Sequence, residues 1–137
     1  MEQLKDFGRT AAAYMAASIA IFLMLRLTAQ YTSFETDVAF LSLKQDYLEN
    51  DVWLASFYIH VFSTTFCLLA ALTQFEKYGL GHFPKVHRSM GKAYVLNILF
   101  INFPVAFVMA IYANGCLPSK TAFIILYCLW FWCTLKA

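Results

Sequence analysis

The chain has 137 residues, 61% of them hydrophobic and 13% charged, with a formal net charge of +2 and a mean hydropathy of +0.62. That balance is too apolar for a soluble domain of this size, and the length leaves room for one domain at most. There is no polybasic tail or other nucleic-acid signature, and no nucleotide loop, nucleophile elbow or zinc-protease motif.

The apolar residues fall into blocks separated by short charged stretches: Ala11 to Leu27, Trp53 to Phe75, Gly91 to Ala113, and Thr121 to Leu135. Roughly 20 apolar residues cross the hydrocarbon core of a bilayer as a helix. The predicted fold is therefore an all-α polytopic membrane bundle, a single transmembrane domain with helices at about 11–28, 53–75, 91–113 and 121–135. The fourth is short and stops at Lys136 with Trp130 and Trp132 near its end, which predicts an incomplete helix and a protein that continues beyond this chain.

In the first helix Gly8, Ala12, Ala16 and Ala20 recur at four-residue spacing, with Ala13 and Ala17 beside them. Small residues in register predict a face that another backbone approaches closely, because apolar burial gains nothing between helices in lipid. Lys5 and Arg9 precede this run as in a signal peptide, but bulky Leu27 stands at the minus-three position of the cleavage site near Ala29 and argues against removal. Arg26 is expected to snorkel.

Between Glu35 and Asn50 the residues Phe40, Leu41, Leu43, Tyr47 and Leu48 share one half of a helical wheel and the acids fall outside it, predicting a short interfacial helix. Lys44 lies inside the apolar arc. The expectation is a stem along the membrane with the ammonium raised to the headgroups. The alternatives are an ion pair or a contact with an anionic ligand.

The second helix carries His60, the one ionisable group placed well inside hydrocarbon, and such a group is a functional hypothesis by default. It lies one turn from Thr64. Asn102 and Ser18 fall near the level of Thr64, and Tyr127 near that of His60, so His60, Thr64, Asn102, Ser18 and Tyr127 are expected to form a polar seam inside the bundle. Plain interhelical hydrogen bonding is the first account of such a seam, and a ligand, proton or cofactor site is the second.

The second connection, Glu76 to Arg88, gathers Lys77, His82, Lys85, His87 and Arg88. Attraction to an anionic lipid surface is the first account of these residues, and a phosphate, a quinone headgroup or a haem propionate is the alternative. His82 and His87 stand roughly 20 Å from the level of His60 at helical rise, too far to share one haem iron with it. In the third helix Asn97, Asn102 and Pro104 predict a bend, Gly91 close packing, and Ser89 an N-cap after Pro84. Four cysteines, Cys67, Cys116, Cys128 and Cys133, show no metal-ligand spacing and read as apolar fillers, and no metal site is expected.

Basic residues cluster before the first helix (Lys5, Arg9) and around the second connection (Lys77, Lys85, Arg88, Lys92), whereas the first connection is acidic. The positive-inside bias predicts a cytoplasmic N-terminus, with the first and third connections outside.

The stretches Trp53 with Phe57-Tyr58-Ile59-His60, Thr73-Gln74-Phe75, His87-Arg88-Ser89-Met90-Gly91-Lys92-Ala93-Tyr94-Val95, Ala113-Asn114-Gly115 and Thr134-Leu135-Lys136-Ala137 resemble the bacterial multi-pass membrane proteins grouped as domain of unknown function 2306. The His-Arg-x-x-Gly-Lys-x-Tyr element carries most of the specificity. Members usually have a second glycine where this chain has Cys116, and they continue into further helices, the next opening near a His-x-x-Trp-Met motif. The resemblance implies a bacterial inner-membrane location and no particular reaction, and it places the additional histidine near His87.

The leading expectation is an inner-membrane protein whose partners are the lipid bilayer and other membrane helices, and whose bundle binds a small ligand or cofactor. His60, His87 and Arg88 are the candidate cofactor contacts, with Thr64, Asn102 and Tyr127 as candidate ligand contacts. A haem-binding electron carrier using His87 and the additional histidine is the second reading. A structural or assembly subunit without ligand is the third. No catalytic residue is assigned.

Overall fold

The structure, a computed structural model, describes residues 2–75 and 82–136. Among these it is all-helical: α1 (Glu2–Ala29), two 3-10 turns (Ala39–Leu43 and Gln45–Tyr47), α2 (Asp51–Phe75), α3 (Pro84–Ile111) and α4 (Leu117–Lys136). Four spans, Gly8–Ala29, Asp51–Ala71, Pro84–Ile111 and Leu117–Lys136, are long and apolar enough to cross a membrane. In lipid the backbone must satisfy its own hydrogen bonds, and continuous helices do so.

Helix ends follow local chemistry. Asn50 caps α2, its Oδ1 accepting the Trp53 N–H at 3.1 Å. Pro84 occupies the first turn of α3, where a missing N–H costs nothing, so this helix starts earlier than Gly91 and Ser89 lies inside it rather than capping it. Gly115, at φ 100°, makes the turn into α4 in a conformation that side-chain-bearing residues rarely adopt.

The bend expected near Pro104 takes the form of a π-helical segment, Asn97–Asn102, set between the α-helical parts Pro84–Leu96 and Phe103–Ile111. Proline lacks the N–H that would continue the α ladder, and the wider turn ahead of it absorbs the mismatch. Asn97, Ile98 and Asn102 are all buried there.

α2 is the hub. It packs against α1 and along the whole of α3, while α4 packs on α3. Near Gly91 the α2–α3 approach is close enough that an added Cβ would stand 2.7 Å from Gln74 Oε1. Thr28 of α1 and Thr65 of α2 share a buried hydroxyl–hydroxyl bond of 2.7 Å. The small face of α1 behaves differently from expectation: Gly8, Ala12, Ala16 and Ala20 are exposed, and nothing lies within 4 Å of a Cβ added at Gly8.

The first connection folds onto the α2 end as a cap. Its helical residues form the two short 3-10 turns, with Leu41 fully buried against Tyr31, Trp53 and Phe57. The rings interlock: Tyr31 meets Phe57 edge-on at 5.1 Å and Trp53 stacks on Phe57 at 5.7 Å. Such aromatic pairs add about 0.5–1.5 kcal/mol each beyond area burial.

Lys44 corrects the snorkelling expectation, because the same folding draws it inward until only 2% of its surface is exposed. Its Nζ donates to the Tyr112 carbonyl and lies 4.6 Å from the centre of the Tyr47 ring. Among the described residues no carboxylate pairs with it. Tyr112 follows the last residue of α3, so the ammonium caps an open carbonyl end, a gain of about 0.3–1 kcal/mol. Desolvating an ion costs several kcal/mol, so capping does not offset the burial.

Two outcomes follow. Gly91→Val should push the Gln74 amide aside and cost its hydrogen bonds to the His87 carbonyl and Thr73 Oγ1, about 0.5–1.5 kcal/mol each, read as a lowered unfolding midpoint in detergent. Burial first, and then the Lys120 ammonium, lower the Lys44 pKa below the ordinary lysine value. The unfolded chain therefore binds the proton more tightly, and stability should rise as pH climbs from the lowered folded-state value towards the ordinary one. Comparing unfolding midpoints over that range, this rise should be absent in Lys44→Met; an identical slope in both proteins contradicts it.

Candidate functional site

Two polar centres lie along the α2–α3 interface. At the first, His60 projects from the middle of α2 into a cleft that it lines with Asn102, Tyr127, Trp130 and Phe131. Asn102 is buried in the π segment, its Nδ2 donating to Asn97 Oδ1 at 2.5 Å and lying 3.8 Å from Cys67 Sγ. Two atoms buried at this cleft, His60 Nδ1 and Asn102 Oδ1, make no hydrogen bond of good geometry, although the His60 and Asn102 side chains lie close enough to interact with each other. Leaving a buried polar atom unsatisfied costs about 1–3 kcal/mol. The open space between these side chains is about 10 Å³, enough for a single water-sized group.

Three members of the expected seam therefore meet: His60, Asn102 and Tyr127. Thr64 is on the same helix, but its hydroxyl turns back onto the carbonyl oxygens of His60 at 2.6 Å and Val61 at 3.1 Å. Such back-bonding is common for threonine within helices. Ser18 is exposed on α1 and takes no part in the cleft.

The second centre joins the end of α2 to the start of α3. His87 Nδ1 lies 2.8 Å from the Thr73 carbonyl oxygen, which can only accept, so Nδ1 is the donor and Nε2 is the ring nitrogen left outside this bond. Gln74 Nε2 donates to the His87 carbonyl at 3.0 Å and to Thr73 Oγ1 at 2.9 Å. Arg88 follows on an exposed face. Lys77, expected to join this cluster, lies outside the described residues. Among the described residues no group of three or more His, Cys, Asp or Glu side chains could hold a metal ion.

A larger cavity, about 370 Å³, lies at the capped end between the first connection, α3 and α4. It is lined by Lys44, Trp53, Met109, Phe123 and Tyr127 among others. Because Tyr127 also lines the His60 cleft, the two spaces adjoin at its ring. This cavity has no signature in the sequence: it arises from the folding of the first connection, and only the lysine within an apolar arc hinted at it.

The comparisons with known proteins agree with the geometry. A family model described as predicted membrane protein (DUF2306) matches residues 57–137, which takes in α2 from Phe57 onward, α3 and α4, with both polar centres. Neither a curated protein nor a solved structure matches the chain. Within the matched residues, Thr73 and Gln74 hydrogen-bond and pack with His87 and Gly91 at the second centre, across a gap in sequence. The match covers more than half of the chain, and the protein belongs to the DUF2306 family of predicted membrane proteins.

Proposed function

We propose that the protein binds a small polar ligand inside its bundle, at a site formed by His60, Asn102 and Tyr127 with Thr64 behind them. His87 and Arg88 supply a second contact region at the other end of the α2–α3 interface. The observation that carries this reading is the pair of buried atoms without a well-formed hydrogen bond, His60 Nδ1 and Asn102 Oδ1, beside one narrow cleft. A guest offering one hydroxyl or ammonium group would satisfy them, since Asn102 Oδ1 requires a donor, while the cleft as it stands is too small for a whole cofactor.

A haem-binding electron carrier is the second reading, supported by the hydrogen bond from His87 to the Thr73 carbonyl. Metal-ligating histidines commonly donate their other ring N–H in this way, which fixes the ring and leaves Nε2 for the iron. The opposite ligand would be a histidine outside these residues. The location proposed is the bacterial inner membrane, with a cytoplasmic N-terminus, on the strength of the basic residues at that end and around the second connection.

Each reading has its measurement. Native mass spectrometry of the protein released from nanodiscs should show a retained small molecule that His60→Phe combined with Asn102→Leu removes. If no molecule is retained, or the double variant keeps it and only gains thermal stability, the polar groups are structural glue and the ligand reading fails. With haem supplied, the protein should show a Soret band that His87→Ala abolishes; no band, or an unchanged one, ends the haem reading. In intact spheroplasts a membrane-impermeant maleimide should modify Cys116, and protection until lysis would reverse the proposed orientation.

A further inference from the structure

The chemistry of the capped end is not accounted for by the His60 centre or by His87. Lys44 combines three properties: it is buried, no carboxylate among the described residues pairs with it, and it lines a cavity of about 370 Å³. The Tyr112 carbonyl and the Tyr47 ring engage its ammonium, yet neither carries the negative charge that would neutralise it. Acids are abundant nearby in sequence, with Glu35, Asp37, Asp46, Glu49 and Asp51 in or next to the same connection, and none of them is used as its partner. The walls around it are apolar at Phe40, Trp53, Met109 and Phe123, with Tyr127 at the inner end. A cavity of this size, mostly apolar with a few placed polar groups, has the composition of a small-molecule site.

We infer that this cavity binds an amphipathic anion, its carboxylate or phosphate paired with the Lys44 ammonium and its apolar body lying against Trp53, Met109 and Phe123. The Lys120 ammonium adds to the positive potential at Lys44 and favours the same ligand charge. The pairing neutralises a cation that the fold otherwise holds at a cost, so occupancy and stability are coupled. This inference is independent of the His60 reading, since it draws on a different charge and a different space. The anion could be a free fatty acid or the headgroup of an anionic lipid, which share this chemistry.

Trp53 provides the readout, because it is 1% exposed and lines the cavity. The full chain, with Trp130→Phe and Trp132→Phe to leave Trp53 as the sole tryptophan, is placed in phosphatidylcholine nanodiscs and titrated with dibrominated probes. Expected is saturable quenching of Trp53 by a dibrominated fatty acid, by dibrominated phosphatidylglycerol or by both, at least five-fold tighter than by dibrominated phosphatidylcholine. Quenching by the acid alone identifies a free carboxylate, quenching by the glycerolipid alone an anionic headgroup, and quenching by both a site that reads only the shared anion. Lys44→Met should abolish the preference and Lys44→Arg should retain it. With Lys44 intact, unbrominated fatty acid should displace the probe while the alcohol of equal chain length does not, which tests the charge even if Lys44→Met fails to fold. Equal quenching by all three probes, displacement by the alcohol, or an unchanged preference in Lys44→Met overturns the inference.

Discussion

The structure depends on the packing of α2 against α3, made where lipid is the solvent and apolar side chains gain little by leaving it. Close backbone approach and interhelical hydrogen bonds must then do much of the joining. At Gly91 the missing side chain leaves room for the Gln74 amide of α2 to lie against α3. The hydrogen bonds run along the interface from Thr73 and Gln74 with His87, through Cys67 with Asn102, to Asn50 with the Tyr112 hydroxyl. Each is modest, but together they set the register of two helices that hydrophobicity alone would leave free to slide.

The register has functional consequences because it decides which polar groups are satisfied. Asn102 spends its amide N–H groups on Asn97 and Cys67, so its oxygen is left over beside His60. The π segment makes this possible by widening the turn around Asn97 and Asn102 ahead of Pro104. At the capped end the aromatic cluster of Tyr31, Trp53 and Phe57 holds the first connection down and carries Lys44 inward with it. Tyr127 of α4 borders both spaces, so movement of α4 relative to α3 would alter them together.

Much of the architecture was legible from composition. Blocks of apolar residues declare spanning helices because the bilayer sets their length, and the Asn97, Asn102 and Pro104 pattern marked the irregular turn. His60, Asn102 and Tyr127 were expected within about one helical turn of each other in depth and they line one cleft, but depth could not separate them from Thr64 and Ser18, which stay out of it. What escaped was local or tertiary. Thr64 satisfied itself on its own helix, Ser18 lay on an exposed side of α1, and the small-residue face of α1 found no partner among the described residues. Lys44 escaped because a helical wheel cannot foresee that a connection will break into two tight turns and fold inward.

The central claim is that α2 and α3 meet with Cys67 facing Asn102, and cysteine cross-linking in the membrane tests it most directly. With Cys116, Cys128 and Cys133 changed to Ser and Asn102 to Cys, a short bifunctional thiol reagent should join Cys67 to the new cysteine within one molecule, giving a compact band on denaturing gels. Failure to cross-link, or cross-links between molecules only, would contradict the α2–α3 register from which both sites are built.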